Sequence, residues 1–201
     1  DLIYGARYVT KNSAVRSLIF AELVVEFFGW SVESMLPVIA RDRLGLDVQG
    51  LGVLMSVGTL GAAIAIACMA VIPDVNNKGK LVVYGLFGLG FGLIAFAFSN
   101  QLLLSMALLA FAYGFGVVFD SGIATLLQTS VPNHMRGRVL GLQTLSWGFS
   151  ESAGFYVGLI TAIAGAPIVV ALGGVVVVVN GARIARNIIS IGAQATSEID
   201  E

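Results

Sequence analysis

Five carboxylates sit where ionised groups are costly. Glu22, Glu26, Glu33, Asp120 and Glu151 each fall inside a long apolar stretch, and no Lys or Arg lies in the interior of any of these stretches. An ionised side chain at mid-bilayer costs on the order of 2.5–3.5 kcal/mol on insertion scales, so such groups face a bundle interior or water. At about 100° per residue, Glu26 is turned about 40° from Glu22 and Glu33 about 20°, so all three are expected on one helix face. Glu22 and Glu26 lie near the middle of their stretch, as does Glu151 in another, while Asp120 lies in the inner half of a third. Acids so placed could take up and release protons or bind a cation. The alternative is that they hydrogen-bond to Ser or Gln on neighbouring helices, or pair with a partner chain. Glu33, close to the end of its stretch, is expected to be hydrated.

No other chemistry is spelled out. Cys68 is alone in an apolar run, and His134, the only histidine, is expected in a solvated loop. Gly88-Leu89-Gly90-Phe91-Gly92 superficially matches the start of a nucleotide fingerprint, but that motif needs a preceding strand and this one lies within an apolar run. There is no nucleophile–base pair, no metal-ligand cluster and no phosphate-binding lysine motif. The expectation is therefore no enzyme, no cofactor and no resident metal. A net charge of −1 gives no reason to expect a nucleic-acid partner.

The elements that hold these acids follow from composition. Of 201 residues, 57% are hydrophobic and 11% charged, against about 25% charged in soluble domains. Crossing a bilayer takes roughly 20 apolar residues in helix. Six segments qualify or nearly do: 14–36, 50–72, 81–98, 102–128, 139–163 and 168–188. Lipid satisfies no open backbone group, so the fold class is all-α, an integral membrane bundle of six transmembrane helices. Asn12-Ser13 is placed to cap the first span, and Pro37, Pro73, Pro132 and Pro167 fall at or near the expected turns. Residues 1–13 mix apolar and basic side chains and suggest an amphipathic helix on the membrane surface. Residues 189–201 end in a polar acidic tail. Gly88-x-x-x-Gly92, Gly137-x-x-x-Gly141 and Gly154-x-x-x-Gly158 are expected helix-packing signals. Trp30 suits an interfacial aromatic belt, and Trp147 is expected in packing.

Basic residues set the expected orientation. Nine of them (Arg7, Lys11, Arg16, Lys78, Lys80, Arg136, Arg138, Arg183 and Arg186) fall on one side, and Arg41 and Arg43 on the other. The side richer in Lys and Arg is cytoplasmic, which places both termini inside.

Several motifs together carry a family resemblance over nearly the whole chain. They are Tyr4-Gly5-Ala6-Arg7-Tyr8-Val9, Leu36-Pro37-Val38-Ile39-Ala40-Arg41-Asp42 followed by Gly50-Leu51-Gly52, and Leu127-Gln128-Thr129-Ser130-Val131-Pro132 running into Arg136-Gly137-Arg138-Val139. The chain resembles the C-terminal six-helix half of a major facilitator superfamily transporter, nearest the bacterial efflux group of siderophore and macrolide exporters. Transporters of this family are similar in having two six-helix bundles that face each other across a central path. The resemblance therefore implies that the first, fourth and fifth spans line the cavity and that the third and sixth face outward, and the acids follow that division. It implies a bacterial inner-membrane location and proton-coupled efflux of small amphiphilic or cationic molecules. The expected partners are membrane lipid, a small-molecule substrate and a second six-helix half, from the same gene or a separate chain. The alternative is a non-transporting accessory or structural subunit of a larger membrane complex.

Two loops are expected to act at the cytoplasmic gate. One holds Asp74, Lys78 and Lys80, although Val75 stands where the family pattern has a basic residue. The other holds Arg136 and Arg138, whose alternative role is to fix topology alone. The chain begins at Asp1 with one bundle only, so a fragment or processed product is expected.

Overall fold

The computed structural model describes residues 2–71 and 77–197, with the side chains of 2, 3, 6, 149–151 and 195–197 outside that description. Asp74 and the final residues of the acidic tail also lie outside it. Seven helices account for the described residues, and the fold is all-helical. Five of them are long and apolar enough to cross a membrane.

The short α1 (Leu2–Lys11) leads into α2 (Ser13–Asp42). Asn12 starts α2 by accepting the Ala14 and Val15 backbone N–H groups on its Oδ1, at 3.0 and 3.1 Å. Such a cap satisfies donors that the first helical turn cannot pair internally. Within α2, Val25–Trp30 widens into a π-helical turn. Pro37 is accommodated inside the helix near its far end.

The chain then reverses through Gly45, whose φ of 63° is left-handed and suits a residue without Cβ. Asp47 Oδ1 accepts the Gly50 N–H at 2.8 Å and starts α3 (Val48–Val71). Helices α4 (Lys78–Phe98) and α5 (Leu102–Ser130) follow as an antiparallel pair. Their tight connection is fixed by the Ser105 hydroxyl donating to Ser99 Oγ at 2.9 Å. Pro132 separates α5 from α6 (Asn133–Ala164), and Gly165, at φ 86°, separates α6 from α7 (Ala166–Ser197).

The packed centre is α4, clasped between α5 and α7. Apolar association in lipid has no water to drive it, so close backbone approach takes over. A Cβ on Gly85 would lie 2.6 Å from the Phe119 backbone nitrogen, and one on Gly90 2.6 Å from Val178 Cγ2. Asn77 adds a polar tie. Its Oδ1 accepts the Lys80 N–H while its Nδ2 donates to the Ile189 carbonyl of α7 at 3.1 Å.

The segment 139–163 is helical within α6, and the side chains of 149–151 in its middle lie outside the described residues. Gln143 and Ser146 on the same helix are buried. One expectation, glycine spacing, changes. Gly88 and Gly92 do pack, against Phe115 and Ala112 of α5, but Gly137, Gly141 and Gly158 have no atom within 4 Å of a built Cβ. Glu33 is exposed, in line with its expected hydration, while Glu22 and Glu26 are buried. A π turn advances the helix by less angle per residue than an α turn, so the turn at Val25–Trp30 departs from uniform α spacing between Glu26 and Glu33.

These contacts give a stability test. Gly85→Val is expected to lower the unfolding free energy in detergent by about 1–3 kcal/mol through overpacking against Phe119. Gly158→Val, pointing at open space, is expected to change it by less than about 0.5 kcal/mol. Thermal melts of the purified variants check both.

Candidate functional site

Two helices bring the acids together. Glu22 and Glu26 come from α2, one α turn apart, and Asp120 comes from α5. One carboxylate oxygen from each lies within 4.8 Å of the other two. Glu22 has no solvent exposure and Glu26 has 4%. The charged groups acting on Asp120 are Glu22 and Glu26, both acidic.

Neutral donors surround this triad. Gln143 of α6 donates from Nε2 to Glu22 Oε1 at 3.4 Å, a long hydrogen bond. The Gln143 turn is held by Ser146, whose hydroxyl donates to the Gln143 carbonyl at 2.6 Å. Trp147, one turn beyond Gln143, also faces Glu22. Trp30 supplies the donor that faces Asp120. Two oxygens are nevertheless buried without a hydrogen-bond partner: Glu22 Oε2 and Asp120 Oδ1.

The Trp30 ring is seated by an absence. A Cβ on Gly116 would stand 2.8 Å from Trp30 Cζ2, so only glycine leaves the notch the indole fills. The other side of the ring meets Tyr113 edge-on, with centroids 5.2 Å apart and planes at 71°. Tyr113 in turn is within electrostatic reach of Glu33. A polar and aromatic ladder thus runs along the α2–α5 interface from the triad through Trp30 and Tyr113 to the exposed Glu33. Trp30 is half-buried against α5, and Trp147 is exposed while facing Glu22. Spacing along one helix cannot show what the facing helix leaves open.

The remaining expected residues are placed as follows. Glu151 lies on α6 by its backbone, and its side chain is outside the described residues. Lys78 and Lys80 start α4, beside the α7 segment that Asn77 and Gly79 touch. Arg136 and Arg138 start α6. Arg138 donates to Met135 Sδ at 3.5 Å, and its guanidinium stands 5.9 Å over the Tyr4 ring of α1. The Arg136 Nε is buried without a hydrogen-bond partner. The structure ties the Asn77–Gly79 start of α4 to α7 and the Arg138 end of α6 to α1. Gln143 was not anticipated. Its signal was a polar stripe on one helix face, Gln143, Ser146 and Trp147, at helical spacing.

The decisive comparison concerns the chain from early in the first span onward. A family model described as Major Facilitator Superfamily matches residues 18–190. The chain belongs to the Major Facilitator Superfamily. No curated protein gives a match to it. Membership in the superfamily makes this a multi-pass membrane protein that contacts lipid and substrate, and it implies secondary transport. Such transporters move solutes without converting them, so the chain is not an enzyme. Within that family frame, the triad is the polar centre that the described residues present.

The indole seat can be read optically. The chain has two tryptophans, so Trp147→Phe leaves Trp30 as the sole emitter. In that background Gly116→Val is expected to shift the emission maximum by evicting the ring. Gly141→Val is expected to leave it unchanged. Unaltered emission in the Gly116 variant would contradict the seat.

Proposed function

We propose that this bundle is the C-terminal half of a proton-coupled exporter of small amphiphilic or cationic molecules, in the bacterial efflux branch. Its complement is a second six-helix half, from the same gene or from a separate chain. The observation that carries the reading is the triad of buried Glu22 and Glu26 with half-buried Asp120, acids that meet one another inside an apolar bundle, with Gln143 as a neutral donor. Three carboxylates this close, two of them out of water, cannot all stay ionised without compensation. Uptake of a proton or arrival of a cationic substrate relieves the same excess of negative charge, which is the competition an antiporter exploits. Glu151, near the middle of its apolar stretch in the sequence, is assigned to the same wall.

In this reading α6 is the sixth crossing. Its polar side lines the path and its apolar side, with Phe155, Leu159 and Ile163 exposed, faces lipid or the opposing half. The excess of Lys and Arg on one side supports cytoplasmic termini in an inner membrane. Lys78, Lys80, Arg136 and Arg138 then stand at the cytoplasmic mouth, with Asp74 in the same loop as the lysines.

A second reading has its own support. Helix α3 is apolar and largely uncovered, with Leu60, Ile64 and Ile66 exposed. That surface also suits an accessory subunit seated in a larger membrane complex.

The test is flux in vesicles containing the native protein with whatever partner copurifies. Glu22→Gln, Glu26→Gln and Glu151→Gln are each expected to flatten the pH dependence of transport. An unchanged pH profile in all three would remove the coupling reading. A native polypeptide no longer than 201 residues, purified without a six-helix partner, would favour the accessory reading.

A further inference from the structure

The triad has a geometry that proton carriage does not require. Three points no more than 4.8 Å apart fit within about 2.8 Å of one centre, since 4.8 divided by the square root of three is about 2.8. Calcium takes carboxylate oxygens at about 2.3–2.6 Å and tolerates irregular shells. A contraction of a few tenths of an ångström would bring all three acids onto such an ion. Magnesium demands about 2.0–2.1 Å, near-ideal octahedral geometry and retained waters. Zinc favours nitrogen and sulfur ligands, and the described site is all oxygen.

A second observation points the same way. Glu22 is wholly buried, yet its Oε2 accepts no hydrogen bond, and Asp120 Oδ1 is equally buried and unpartnered. A carboxylate oxygen taken out of water and given no donor has lost solvation without replacement. The donors facing Glu22 and Asp120 among the described residues, Gln143, Trp147 and the Trp30 indole, carry no charge. Each acid brings one oxygen to the cluster, and Glu22 and Asp120 each keep a buried oxygen without a donor, a set that a hard cation would complete.

We infer that Glu22, Glu26 and Asp120 form a binding site for a hard divalent cation of calcium's size, bridging α2 and α5. The site uses acids that the proton-coupling reading also uses, but it rests on their convergence and on the open oxygens, not on transport. A bound ion would lock the two helices together. With the ion absent, the acids would be free to protonate and separate.

Equilibrium binding of radioactive calcium to the full native protein in detergent tests this, with thermal melts in parallel. Wild-type protein is expected to bind the ion saturably and to melt at a higher temperature in its presence. Glu26→Gln and Asp120→Asn are each expected to weaken binding by at least about tenfold, the lower end of what losing even an outer partner of a metal site does. Both are expected to lose the calcium-dependent rise in melting temperature. Asp42→Asn and Asp47→Asn, which alter exposed acids, are expected to change neither result. If the Asp120 variant fails to fold, Glu22→Gln on the other helix serves in its place.

Absence of saturable binding in the wild type would overturn the site. So would binding that survives in the triad variants or disappears in the Asp42 and Asp47 variants. Because no flux is measured, the two proposals fail separately. A flattened pH profile without calcium binding removes the ion site alone, and calcium binding with an unchanged pH profile removes the coupling reading alone.

Discussion

Hydrocarbon gives a charged group neither a hydrogen bond nor a counter-ion, and the rest of this structure follows from that poverty. Backbone groups are satisfied within helices, which is why the described chain is helical from end to end. Carboxylates that enter the slab must be turned toward protein. Glu22 and Glu26 obey by meeting Asp120 across the α2–α5 interface, with Gln143 reaching over from α6. What they do not find there is full satisfaction, and that remainder makes the site more than a structural knot.

The helices were largely legible because an apolar run of 20 or more residues has few other ways to fold. Asn12 as a cap was legible too, since a short polar side chain ahead of a helical run has a local job. Legibility failed where the deciding atom belonged to another helix or where the helix itself changed its winding. Uniform α spacing was assumed from Glu22 to Glu33, and the π turn at Val25–Trp30 departs from it. No local pattern in that segment announces the wider turn. Asp120 could be named as a buried acid, but its meeting with residues on α2 is a tertiary fact.

Glycine shows the same division. The sequence offered three small-residue motifs of equal apparent merit. Only Gly88 and Gly92 lie against another helix on both counts, and they belong to α4, the central helix of the packed trio. Those on α6 look onto open space or touch at one end only. A spacing rule tells which helix could approach closely, while the neighbour decides whether it does. The loosely covered α3 and α6 mark the sides on which the bundle has surface left over.

The notch at Gly116 carries a consequence for how this protein can vary. The bulk of the indole at position 30 and the missing side chain at 116 are a single fitted joint divided between two distant stretches of chain. Shrinking the ring would hollow the joint, and enlarging the notch residue would force the ring out. Neither position can drift by itself. A lineage that replaced one would have to replace the other in step, and would hand the Asp120 carboxyl a different neighbour in doing so.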